Sequence, residues 1–135
     1  MSKKQSSYEG LQENIKSLNL PGMEVIKNKY PDREYTVTLE TNELTCICPK
    51  TGLPDFGDIE VEYAPDKSIV ELKSFKLYLV GYRDVGIFHE HLTNKILDDF
   101  VKAVNPRWAV VTIGVQPRGG IYTTVTAEYE KKGKK

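Results

Sequence analysis

Between residues 34 and 40, apolar Tyr35, Val37 and Leu39 alternate with Thr36 and Thr38, the two-residue period of a strand with one buried face. Residues 43–48 predict a second strand, which Pro49 closes. Residues 49–57 hold two prolines and two glycines in nine positions, loop chemistry throughout and longer than a simple hairpin turn needs. Ile59, Val61 and Tyr63 resume the alternation, Pro65-Asp66 makes a turn, and residues 69–80 predict a further extended, lysine-punctuated strand. The period then changes. Phe88, Leu92, Ile96, Leu97, Phe100, Val101 and Val104 recur at steps of three and four, which predicts an amphipathic helix over about 88–104 that Asn105-Pro106 ends. Residues 108–115 and 121–129 are two more β runs around a Gln116–Gly120 turn and suit an antiparallel pair. Tyr8, Leu11, Ile15 and Leu18 keep a helix-compatible spacing until Pro21 and Gly22 interrupt it. The class is therefore α+β, antiparallel strands with one or two helices on one face. Residues 1–29 form an extension of uncertain structure, 30–129 the folded domain, and 130–135 a solvated, disordered basic tail.

Composition narrows the function. The chain has 135 residues, with 19 Lys and Arg against 19 Asp and Glu, enough for one core but not for two ordinary domains. Zero net charge argues against a protein whose main partner is a nucleic-acid backbone. No apolar run approaches the roughly 20 residues of a membrane-spanning helix. The polar start, Met1-Ser2-Lys3-Lys4, carries no leader pattern, so a cytoplasmic location is the expectation. In that reducing compartment the two cysteines are not expected to pair.

Cys46 and Cys48, two apart, share one face of a strand. Cys46, in mid-strand, reads as a small buried hydrophobe. Cys48 sits where a strand meets a Pro- and Gly-rich loop, a position from which a scaffold presents a nucleophile. Asp55, seven residues on, either forms a turn or folds back toward the sulfur as an acid. His89, Glu90 and His91 open the long helix, where Glu90 suits the helix dipole. Cys46, Cys48, His89 and His91 have the ligand types of a zinc site, but Cys-x-Cys and His-x-His are not the usual spacings, and no metal is expected. Lys73 and Lys76, on a strand, would face opposite sides, and Arg118 precedes a Gly119-Gly120 turn whose amides could meet a phosphate. No Gly-x-Gly-x-x-Gly or Walker loop is present.

Four segments are more specific. Cys48-Pro-Lys-Thr-Gly-Leu-Pro-Asp55-Phe56, then Val70-Glu-Leu-Lys-Ser-Phe-Lys76-Leu-Tyr78, then Phe88-His89-Glu90, then Pro117-Arg118-Gly119-Gly120 occur in the order in which they closely resemble the NADPH-dependent 7-cyano-7-deazaguanine reductases, the nitrile reductases of queuosine biosynthesis. The resemblance covers about residues 30–128. It implies a tunnelling fold whose small subunits assemble into ring oligomers with active sites at their interfaces. It implies reduction of a nitrile to an aminomethyl group by two NADPH, without a metal. It implies that Cys48 attacks the nitrile carbon to give a thioimidate while Asp55 donates a proton. Glu90 would anchor the purine edge and His89 line the pocket, with Val70, Glu71 and Leu72 completing the substrate contact. Lys73, Lys76 and, more weakly, Arg118 would meet the NADPH phosphates. Two residues depart from the family pattern: Leu72 stands where many relatives carry Ser, and Cys46 is an extra thiol beside the nucleophile. Three other functions compete: a transferase acting on nitrile-bearing transfer RNA through the same cysteine, a zinc-dependent cyclohydrolase, and a silent purine-binding module.

Overall fold

The computed structural model describes residues 20–132. Its elements run β1 (Val25–Lys27), β2 (Val37–Ile47), β3 (Pro54–Ala64), β4 (Ser68–Val70), α1 (Leu72–Val80), α2 (His89–Val104), β5 (Trp108–Arg118) and β6 (Ile121–Glu130). Four strands form an antiparallel sheet in the order β2-β3-β5-β6, and β1 pairs with β4 in a separate two-stranded piece.

The two short strands read at 34–40 and 43–48 are one strand, β2, broken by a bulge. Thr41 pairs with Ile59 and Leu44 with Gly57, so Asn42 and Glu43 together oppose the single residue Asp58. The extra residue switches the parity of the inward face from Val37 and Leu39 to Leu44 and Cys46, which is why the alternation is interrupted in the sequence. On β3 the inward set is Asp55, Ile59, Val61 and Tyr63. Leu92, Ile96, Phe100 and Val104 of α2 pack over this face with Val111 and Ile113 of β5, all nearly solvent-free. The ring of Phe100 meets those of Tyr63 and Phe75 edge-on, at 4.8 and 6.3 Å between centroids.

The strand expected over residues 69–80 is corrected: only Ser68–Val70 is extended, and a helix follows at once. Glu71 is the reason. Its carboxylate accepts the backbone N–H of Ser74 at 2.8 Å and of Lys73 at 3.1 Å, capping α1. Phe75, Tyr78 and Leu79 then fall on one buried stripe. The loop expected over 49–57 is also shorter, because β3 already begins at Pro54 and Asp55 is a strand residue.

The folded body reaches past both expected limits. β1 lies within the stretch assigned to the extension, and Asn28 is buried, donating to the Asp66 carbonyl at 2.7 Å. At the other end β6 extends to Glu130, and the Lys131 ammonium meets the Asp66 carboxylate at 2.7 Å. The helical spacing read at residues 8–18 lies outside the described residues. Gly119 and Gly120, both at positive φ (62° and 83°), make the two-residue β5–β6 turn with Arg118 paired to Ile121.

A connection outside the sheet ladder brings the long helix to the end of β2. Ile47 N–H donates to the Val85 carbonyl at 2.9 Å, and Ile87 N–H donates to the Ile47 carbonyl at 3.1 Å. This parallel bridge sets the first turn of α2 beside the β2–β3 hairpin.

Candidate active site

Cys48 opens the six-residue link between β2 and β3. Its N–H donates to the Leu53 carbonyl and its own carbonyl accepts the Gly52 N–H, both at 2.8 Å, a tight closure that Gly52 permits by adopting φ 75°. The loop folds its donors around the sulfur. Partial burial and the Asp55 charge oppose ionisation of Cys48. Hydrogen bonds from the Thr51 side chain and the Thr51 and Lys50 backbone outweigh them and hold the thiol below its ordinary range. The side chain is half-exposed, so the activated sulfur is reachable.

Cys46 has the opposite fate. It sits directly across the ladder from Asp55, and burial, then the charges of Asp55 and Cys48, push its thiol up to about 12. Of the two thiols, the buried one on β2 is held neutral and the one in the following loop is shifted toward ionisation.

Asp55 is 5% exposed, and its Oδ2 lies 2.9 Å from Nε2 of His89, the first residue of α2. Cys46, Asp55, His89, Leu44, Phe56, Gly57, Leu92, Ile113 and Val115 enclose a pocket of only about 10 Å³. That is room for about one water molecule, far too little for a purine. Cys48 does not line this enclosed space. The proton in the Oδ2–Nε2 hydrogen bond is the nearest one the pair can supply or recover.

The other candidates are placed elsewhere. Glu71, Leu72, Lys73 and Lys76 line an open groove of about 820 Å³ between α1 and β2, which shares no lining residue with the Asp55 pocket. Because α1 is helical, Lys73 and Lys76 stand on neighbouring positions of one face, not on opposite sides as a strand would have it. Val70 is buried and its N–H donates to the Tyr63 hydroxyl at 3.1 Å. Glu90 is exposed in the first turn of α2, and Arg118 ends β5. His91 is exposed, its ring 6.1 Å from that of Phe88. Two contributions escaped the sequence reading: Thr51 as an activator of Cys48, and Asp55 rather than Cys48 or His91 as the partner of Cys46 and His89. The register that joins Asp55 to Cys46 depends on where the hairpin closes, which no spacing rule states.

An antiparallel sheet backed by helices, with a thiol loop and a buried acid at one end, is the subunit of the tunnelling-fold class. In keeping with that, the structure matches that of the archaeosine synthase QueF-Like in its apo form with a TM-score of 0.65 and 31% identity, covering 69% of this chain and 91% of the other. Residues 54–134 match the family described as QueF-like protein. The chain is 58% identical over 111 residues to the NADPH-dependent 7-cyano-7-deazaguanine reductase of Syntrophus aciditrophicus, covering 82% of this chain and 79% of that one. It is 53% identical over 114 residues to the protein of the same name from Chlorobaculum tepidum, covering 84% and 97%. This chain belongs to the QueF-like family.

Proposed function

We propose that this chain is an NADPH-dependent 7-cyano-7-deazaguanine reductase, reducing the nitrile to the aminomethyl group in queuosine biosynthesis. One observation carries the chemistry: a thiol held below its ordinary range opens the loop after β2, close enough to feel the charge of Asp55, a buried, hydrogen-bonded carboxyl. The names of relatives more than 50% identical support the same activity.

The Cys48 thiolate adds to the electrophilic nitrile carbon, forming one C–S bond as the C≡N triple bond becomes a C=N bond. The nitrogen takes up a proton from Asp55, and His89 keeps that carboxyl in place through Nε2 and Oδ2. Lys73 and Lys76 fit NADPH, since two cations on one helical face of an open groove can meet phosphate oxygens. When bound, NADPH would supply hydride, one per molecule, to the former nitrile carbon, and the nitrogen would take a second proton from solvent as the imine is reduced to the amine. Cys48 leaves as thiolate after the first, when the C–S bond breaks. Glu90 accepts hydrogen bonds from the ring N–H and exocyclic amine of the purine edge. Val70, Glu71 and Leu72 approach the substrate, and Arg118 is a secondary phosphate contact.

The two halves of this machinery line separate cavities in one chain, and the pocket at Asp55 cannot admit a base. A second copy completing the site accounts for both facts. Exposed Leu72, Leu77 and Val80 on α1 provide apolar surface for it. No helix among the described residues is long and apolar enough to cross a membrane, and the cytoplasm is the proposed setting.

The test is loss of NADPH absorbance on mixing the purified protein with 7-cyano-7-deazaguanine, beside the Cys48→Ala variant. Oxidation by the parent alone supports the reading; no oxidation by folded parent, or equal oxidation by the variant, overturns it.

A further inference from the structure

Cys46 takes no part in the nitrile chemistry, yet it is built into the site. Its Sγ, a carboxylate oxygen of Asp55 and a ring nitrogen of His89 all lie within 4.8 Å of one another. We propose that Cys46, Asp55 and His89 form a binding site for a thiophilic divalent cation, of which Zn²⁺ is the best match, and that occupancy arrests the enzyme by withdrawing Asp55 and His89 from proton transfer. The binding stands on this geometry alone, whereas the arrest rests on the reductase reading above.

The donor set selects the ion. One thiolate, one imidazole nitrogen and one carboxylate oxygen are the ligand types of zinc, and the sulfur and nitrogen disfavour Mg²⁺ and Ca²⁺. Zinc–ligand bonds of about 2.0–2.3 Å at tetrahedral angles place neighbouring donors about 3.3–3.7 Å apart. The pair Asp55–His89, at 2.9 Å, opens by less than an ångström to meet this, and the sulfur closes by about 1.5 Å at most. The enclosed volume of about 10 Å³ suits one ion and excludes the substrate. Three different elements hold the donors: β2 and β3 through the Cys46–Asp55 register, and α2 through its bridge to Ile47. The ion would find its ligands largely in place. Binding exchanges the Cys46 S–H bond for an S–Zn bond and releases that proton to solvent; nothing is oxidised or reduced. A water at the pocket's opening would fill the fourth position.

Cobalt titration of the metal-free, full-length protein tests the site without reference to turnover, because thiolate ligation gives Co²⁺ a near-ultraviolet charge-transfer band. The band is expected in the parent at one equivalent per chain, to be displaced by Zn²⁺, to persist in Cys48→Ala, and to be lost in Cys46→Ala and Cys46→Ser. Far-ultraviolet circular dichroism checks that each variant is folded, and the serine variant keeps the volume of the side chain. In the turnover assay stoichiometric Zn²⁺ should inhibit the parent, EDTA should reverse it, and Cys46→Ala should retain uninhibited turnover while needing at least about tenfold more Zn²⁺. A band that survives both Cys46 substitutions, a band lost in Cys48→Ala, or no band in the parent overturns the site. Equal zinc sensitivity of parent and Cys46→Ala overturns the arrest. A band behaving as expected in a parent with no metal-free turnover leaves the site standing and counts against the reductase reading instead.

Discussion

Two cysteines of identical chemistry, one on β2 and the other two residues on in its loop, are driven in opposite directions by their surroundings. Desolvation dominates at Cys46, whereas at Cys48 the donors from Thr51 and Lys50 outweigh it. Iodoacetamide at about pH 8 should therefore label Cys48 and spare Cys46, as peptide mapping by mass would show. The sign is set by the thiolate: a lowered value enlarges the reactive fraction near neutrality, and a raised one removes it. Removing the Thr51 hydroxyl in Thr51→Val should move the labelling midpoint of Cys48 to higher pH. Asp55→Asn acts differently. The carboxylate charge disfavours the Cys48 thiolate, so labelling should be at least as easy, while turnover falls by about 10²–10⁴ through loss of the proton donor. The position of Cys48 was legible in the sequence because Pro49 closes the strand beside it and a Pro- and Gly-rich loop follows. Its activation was not, because the donors act through a loop closure that spacing does not specify.

At the scale of elements, packing overrode local preference in one place and a bulge hid the pattern in another. Leu72–Val80 is rich in residues that also suit strands, and its lysines imitate alternation. The Glu71 cap and the buried stripe of Phe75, Tyr78 and Leu79 decide for helix. Glu71→Ala should lower the thermal midpoint, with Glu71→Gln recovering part of it. The β3–β5 contact near the site is tighter still. A Cβ at Gly57 would come within 2.4 Å of the Gly114 carbonyl oxygen, a backbone atom that cannot swing aside. Gly57→Ala should cost about 1–3 kcal/mol in urea unfolding. It should also depress turnover, since Asp55 is only two positions away on the same strand.

For the whole molecule, the division of the candidate residues between two cavities makes assembly the central question. If one copy supplies Cys48 and its neighbour the α1 lysines, mixing inactive Cys48→Ala with an inactive Lys73→Ala/Lys76→Ala protein should restore activity. With free subunit exchange at equal amounts, about a quarter of the sites would carry both intact halves. No restoration in mixtures that demonstrably exchange subunits would show that each chain supplies its own pair. Glu90→Ala should raise KM for the nitrile substrate and leave KM for NADPH nearly unchanged, as stranded polar groups on the purine edge would require. The single substitutions Lys73→Ala and Lys76→Ala should do the reverse.

By itself the sequence determined the α+β class, the long helix at 88–104, the closing hairpin and the thiol at the loop, because each of these is written in short-range periodicity or turn chemistry. The four motif segments carried the family. Only the tertiary structure decided that Asp55 is a strand residue opposite Cys46, that His89 is its partner, and that Lys73 and Lys76 share a helical face across a different groove. Those facts depend on strand register, on a one-residue bulge and on a bridge between residues 47 and 86, contacts between positions far apart in the chain whose energies no local pattern contains.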